Sequence, residues 1–182
     1  MKRKLTVIAA IAVCVSLLTL GSLAYFTAQD NAENHITTGN LAIDVVELGE
    51  DGQPFVNQIG VMPGDTVVKE VSVANVGDNT AWIRVKVTMT CTANGANLPT
   101  DGITLDYNTT DWTWSGSDGY YYFNSPVDAS NSTIELFNNV SFAAELGNEY
   151  QNAELIINVE ADAVQYANNG ATVMEAQGWP AE

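Results

Sequence analysis

The chain has 182 residues and a formal net charge of −16, and beyond position 24 it holds all 22 acidic residues but only Lys69, Arg84 and Lys86 as basic ones. That imbalance excludes nucleic acid and anionic membrane surfaces as partners, because both need basic patches. The length fits one domain with a real core. Cys91, the one cysteine beyond position 24, has no partner for an intrachain disulfide and reads as a buried thiol.

The chain opens with Lys2, Arg3 and Lys4, followed by an apolar run from Leu5 to Leu20. Ser22 and Ala24 then occupy the small-residue positions of a cut between Ala24 and Tyr25. This is the layout of a secretory signal, and it places the folded part outside the cytoplasm. The alternative is an uncleaved anchor: the apolar run continues to Phe26, and about 20 residues span a bilayer. Contact with a membrane is expected only through this segment. The organisation predicted is a signal at residues 1–24, an extended segment at 25–38 and a β domain at 39–182.

The domain reads as strands almost throughout. Leu41, Ile43 and Val45 alternate with Ala42, Asp44 and Val46. Val67, Val71 and Val73 share one parity, which Lys69 interrupts. Ala81 to Thr92 is the clearest strand: its odd positions are all apolar, and its even positions are polar after Trp82. Trp112 to Trp114 and Tyr120 to Phe123 flank a Gly/Ser/Asp turn and predict an aromatic hairpin. Ile134, Leu136, Val140 and Phe142 mark further short strands. A second long strand runs from Glu154 to Gln165, with Leu155, Ile157, Val159, Ala161 and Ala163 on its inner face. Ala171 to Gly178 is the one stretch suited to a short helix. Seven to nine strands without βα alternation predict an antiparallel two-sheet sandwich, jelly-roll-like or immunoglobulin-like in topology.

No catalytic constellation is legible. His35 is the single histidine and precedes the first strong strand, so neither a triad nor a two-histidine zinc site can be built around it. No cofactor is expected. Calcium is the alternative, because Asp44, Asp51, Asp78, Asn79 and Asp101 fall in or near turns. The EF-hand spacing is absent, and Asx-turn chemistry is the favoured account of these residues. Trp112, Trp114, Tyr120 and Tyr122 form a candidate binding surface for glycan or cell wall, with core packing as the competing account of half of the hairpin's aromatics.

Three segments resemble one family. They are Ala24-Tyr25-Phe26-Thr27 with Asn34 to Ile43; Met62-Pro63-Gly64-Asp65-Thr66 with Val71 to Gly77; and Glu160 to Gln165 with Trp179. Together they resemble the TasA/camelysin family of exported Gram-positive proteins, whose signals are cut by a SipW-type signal peptidase. The resemblance implies a jelly-roll-like sandwich and a secreted subunit of biofilm-matrix fibres at the cell surface. It also implies head-to-tail assembly with copies of itself, and sister matrix proteins as further partners. The donor strand would be residues 25–38, with Tyr25, Phe26, Ala28, Ala32 and Ile36 as apolar anchors. Camelysin-like members are surface metalloproteases, an activity for which this chain lacks the histidines.

Overall fold

The computed structural model describes residues 40–58 and 60–181. The signal segment and the extended segment therefore lie outside the described residues. Within them the fold is all-β, in two antiparallel sheets.

The first sheet is built from β1 (Ile43–Leu48), β2 (Thr66–Asn75), β5 (Ile103–Leu105) and β8 (Phe137–Phe142), in the order β1-β2-β8-β5. The second holds β3 (Ala81–Ala93), β4 (Ala96–Leu98), β6 (Trp112–Ser115), β7 (Tyr120–Phe123) and β9 (Glu154–Gln165). The strand β3 is its spine. One edge of β3 pairs with β9 from Ala81↔Gln165 to Thr92↔Glu154. The other edge pairs with β7 at Arg84 and Val85, and with β4 at Cys91 to Ala93.

Alternation decides what lies inside. The odd positions of β3 face the first sheet, and Ala81, Ile83, Val85 and Cys91 are buried there with Val71, Val73, Trp112, Leu136, Phe137 and Val140. Each large apolar side chain so buried contributes about 1.5–3 kcal/mol. The even positions of β3 face outward, yet Trp82 is buried as well. The reason is the C-terminal segment, which crosses the outer face of the second sheet. Val173, Ala176 and Trp179 pack there on Trp82, Tyr120, Tyr122 and Val164. The helix predicted for Ala171 to Gly178 reduces to a single 3-10 turn at Val173–Glu175. The segment is held from outside by tertiary contacts: the Trp82 Nε1–H donates to the Gly170 carbonyl at 3.3 Å.

Candidate functional site

The longest strands define the site. Among the described residues no strand lies on the outer edge of β9. In an antiparallel ladder, alternate residues turn their N–H and C=O groups to opposite sides. Tyr166 donates its N–H to Thr80 O, so even-numbered positions of β9 serve β3. The odd positions, Leu155, Ile157, Val159, Ala161 and Ala163, turn theirs to the outer edge. Their side chains point between the sheets and pack on the core, but all five are only half-buried. A long edge with a half-covered apolar face is the geometry that strand addition uses.

The edge strand of the first sheet, β1, lies across a groove from β9. The groove has a volume of about 540 Å³ and is lined by Val45, Glu47, Pro54 and Phe55 on one side and Ile157, Asn158 and Val159 on the other. Val45 is 37% exposed at its mouth. The lining from the β1–β2 connection is held in place by the main chain: Phe55 donates its N–H to Glu47 O at 3.0 Å, and Leu48 bridges to Pro54.

An ion pair stands beside this groove. Lys69 occupies an odd position of β2, the parity that faces the core, and is only 5% exposed. Its Nζ meets Glu47 Oε2 at 2.8 Å and lies 4.1 Å from the centre of the Phe55 ring. A lysine inside a sandwich must be paired, because an isolated buried charge is costly. Sequence reasoning registered Lys69 only as an interruption of an apolar parity. That interruption was itself the signal.

The four aromatics expected to form one binding surface are divided between two faces. Trp112 is 1% exposed in the main core, and its Nε1–H donates to Ile134 O at 3.2 Å. Trp114 shares its face but lies beyond the covering sheet, 53% exposed, with its ring 4.6 Å from that of Tyr121. Tyr121 in turn stacks on Tyr107 at 4.3 Å, and burial pushes the Tyr107 hydroxyl well above its ordinary value. Tyr120 and Tyr122 face the opposite way and are buried under the C-terminal segment. Only Trp114 of the four is open to solvent.

That second face is organised around Arg84. Its guanidinium lies 3.9 Å from the Tyr120 ring and 4.8 Å from that of Trp179. Its Nη2 bonds Asp162 Oδ2 at 2.8 Å and donates to Pro180 O at 3.1 Å. Burial acts to lower the Arg84 pKa, but hydrogen bonds to Tyr122 and Asp162 outweigh it and raise the value. The Tyr122 hydroxyl donates to Asp118 Oδ2 at 2.6 Å. Burial would raise the Asp118 carboxyl, but this bond and those from Ser115 and the Tyr120 N–H hold it below the ordinary range.

Among the described residues, no three His, Cys, Asp or Glu side chains come together in a way that could hold a metal ion. Asp44, Asp51, Asp78 and Asp101 are therefore in no such group. His35 lies outside the described residues, as do the cleavage residues Ser22, Ala24 and Tyr25 and the anchors Phe26, Ala28, Ala32 and Ile36. Cys91 is buried, and burial pushes its thiol up, which makes it a poor nucleophile.

These features define an all-β sandwich protein whose long edge strand β9 lies over a partly apolar groove. A family model described as camelysin metallo-endopeptidase matches residues 1–102. The match covers more than half of the chain, and the chain belongs to that family. It takes in β1 to β4 and stops before the aromatic hairpin and β9. No curated protein matches the chain. The ligand set that a metallo-endopeptidase needs is not found among the described residues, so no hydrolytic step follows from this geometry.

Proposed function

We propose that this chain is an exported structural protein, and not a peptidase, whose mature form polymerises into extracellular fibres. A SipW-type signal peptidase cuts after Ala24. Residues 25–38 of one subunit then add to the outer edge of β9 in the next. Such a contact is head-to-tail and does not close, so it yields filaments. The fibres belong to the surface or matrix of a Gram-positive cell, alongside sister matrix proteins.

One observation carries this reading. The 12-residue strand β9 has no neighbour on its outer edge among the described residues, and its five inward side chains stay half-buried, with Ile157 and Val159 lining a groove. An added strand would supply the hydrogen bonds and the missing cover together.

Hydrogen exchange tests it directly. The amides of Leu155, Ile157, Val159, Ala161 and Ala163 should exchange freely in monomeric 25–182 and become protected in assembled material. Deleting residues 25–38 should abolish both assembly and that protection. Assembly that survives the deletion removes the proposal.

The family description favours a second reading, a metallo-endopeptidase. Casein hydrolysis by the pure protein that a chelator stops would establish it. Purified protein with no such activity leaves the structural reading.

A further inference from the structure

Lys69 stands beside the groove, and the segment proposed to fill that groove carries a matching charge. Written as a strand, residues 25–38 have two faces. One face carries Tyr25, Thr27, Gln29, Asn31, Glu33, His35 and Thr37, and is polar after Tyr25, the one anchor that it holds. The other carries Phe26, Ala28, Ala32 and Ile36, interrupted by Asp30 and Asn34 and ending at Thr38. The groove wall of Val45, Ile157 and Val159 selects the second face. Entry of that face drives one carboxylate, Asp30, between the sheets.

A buried carboxylate needs a cation. The region beyond position 24 has only three basic residues. Arg84 is engaged on the outer face of the second sheet with Asp162 and Trp179. Lys86 sits on the same outer parity of β3, with its Nζ 5.2 Å from the Tyr120 ring. Lys69 alone enters the inter-sheet space. Its ammonium has three N–H groups, and the described residues meet it with one carboxylate oxygen and one ring face. The Glu47 side chain is 36% exposed, so it can turn to solvent and give up its place.

We propose that Lys69 sets the register of strand exchange: Asp30 of the entering strand replaces Glu47 on Lys69 while Phe55 moves aside. This rests on the strand-exchange reading and names its specificity-determining pair. One carboxylate faces one ammonium before and after, so the exchange adds no unpaired charge. Lengths agree as well. Residues 25–38 extend over roughly 46 Å at about 3.3 Å per residue, and the 12 residues of β9 over about 40 Å. A slip by one residue would turn the polar face inward. A slip by two would leave Asp30 buried without a cation. The pair therefore excludes both alternatives.

The test uses mature 25–182 as wild type, Asp30→Asn, Lys69→Met, and the double variant Asp30→Lys with Lys69→Glu. Sedimentation gives the critical concentration for assembly, and thermal unfolding of each monomer confirms that it folds. Asp30→Asn and Lys69→Met should each raise the critical concentration by about ten- to a hundredfold, the worth of one charge-assisted contact. The double swap should restore it to within a few fold. If all three folded variants assemble like wild type while deletion of 25–38 abolishes assembly, strand exchange stands and the Lys69 register is wrong. If the deletion changes nothing, the exchange reading itself fails. A synthetic peptide of residues 25–38 should block wild-type assembly, and its Asp30→Lys form should not. Equal inhibition by the two peptides overturns the pairing.

Discussion

The Asn75 side chain accepts the backbone N–H of Gly77 on its Oδ1 at 3.1 Å, and Gly77 lies so close to the chain entering β1 that a Cβ there would come within 2.7 Å of Asn40 O and Ala42 N. The Asn75 amide also donates to Asn79 O at 2.8 Å and Val127 O at 2.9 Å. One fully buried side chain thus ties the end of β2 to the connection that follows it and to the segment beside Ala81. Asn75-Val76-Gly77, part of the family resemblance, has a physical reason in this knot. Asn75→Ala should cost about 2–4 kcal/mol, because buried groups are left unpaired at roughly 1–3 kcal/mol each. Gly77→Ala should also destabilise, since the opposing atoms are backbone. Urea unfolding of monomeric protein measures both.

The two tryptophans of β6 should behave differently although they share a face. Trp112→Ala empties a core site and should cost about 3–5 kcal/mol. Trp114→Ala removes a ring that is 53% exposed, and should cost about 1 kcal/mol or less. A glycan or cell-wall screen on Trp114→Ala separates a binding role from this small packing role. Unchanged binding would leave the ring no recognition function.

Trp179 closes the outer face of the second sheet. Trp179→Ala removes its contacts with Arg84 and with the Tyr122 ring, 5.7 Å away between centroids. The cost should be about 1–2 kcal/mol, read from chemical unfolding. Limited proteolysis should then cut within residues 170–181 before it cuts elsewhere in the domain. Protection equal to wild type would show that the packing of Val173 and Ala176 and the bonds to Gly170 and Pro180 hold the segment without the ring.

Asp106 makes stability depend on acid. Its carboxylate accepts the N–H groups of Asn138 and Asn139 and the Asn139 amide, at 2.8, 2.6 and 2.7 Å. Burial acts to raise its pKa, and these bonds outweigh burial and lower it below 3.8. A carboxyl depressed on folding stabilises above its unfolded pKa and loses that contribution as pH falls through the folded value. Asp106→Asn should therefore lower Tm at pH 7. The gap to wild type should close as pH drops below 3.8. A gap that persists in acid would assign the loss to packing and not to charge.

Where a strand is long, the sequence shows it. Ala81 to Thr92 and Glu154 to Gln165 were legible because six and five apolar positions of one parity leave only one period. The observed strands are Ala81–Ala93 and Glu154–Gln165. The hairpin was legible from its turn. Ala96–Leu98 and Ile103–Leu105 were not, since three residues carry no period. The aromatic surface misled for a tertiary reason: alternation predicts which side chains leave the sheet, but not that the C-terminal segment returns to cover Tyr120 and Tyr122. The groove was invisible for a similar reason. Its walls come from β1 and β9, more than a hundred residues apart, and meet only in the folded sandwich.

The covering of the second sheet also decides how the molecule can be watched. Trp82 and Trp179 both sit at that covered face, Trp112 in the core and Trp114 near the turn of the hairpin, while the groove lining holds no tryptophan. Intrinsic fluorescence excited at the red edge should thus report on docking of the C-terminal segment and on global unfolding. It should stay nearly silent when the groove fills. A single tryptophan at position 159, in place of Val159, would give that event an optical signal of its own.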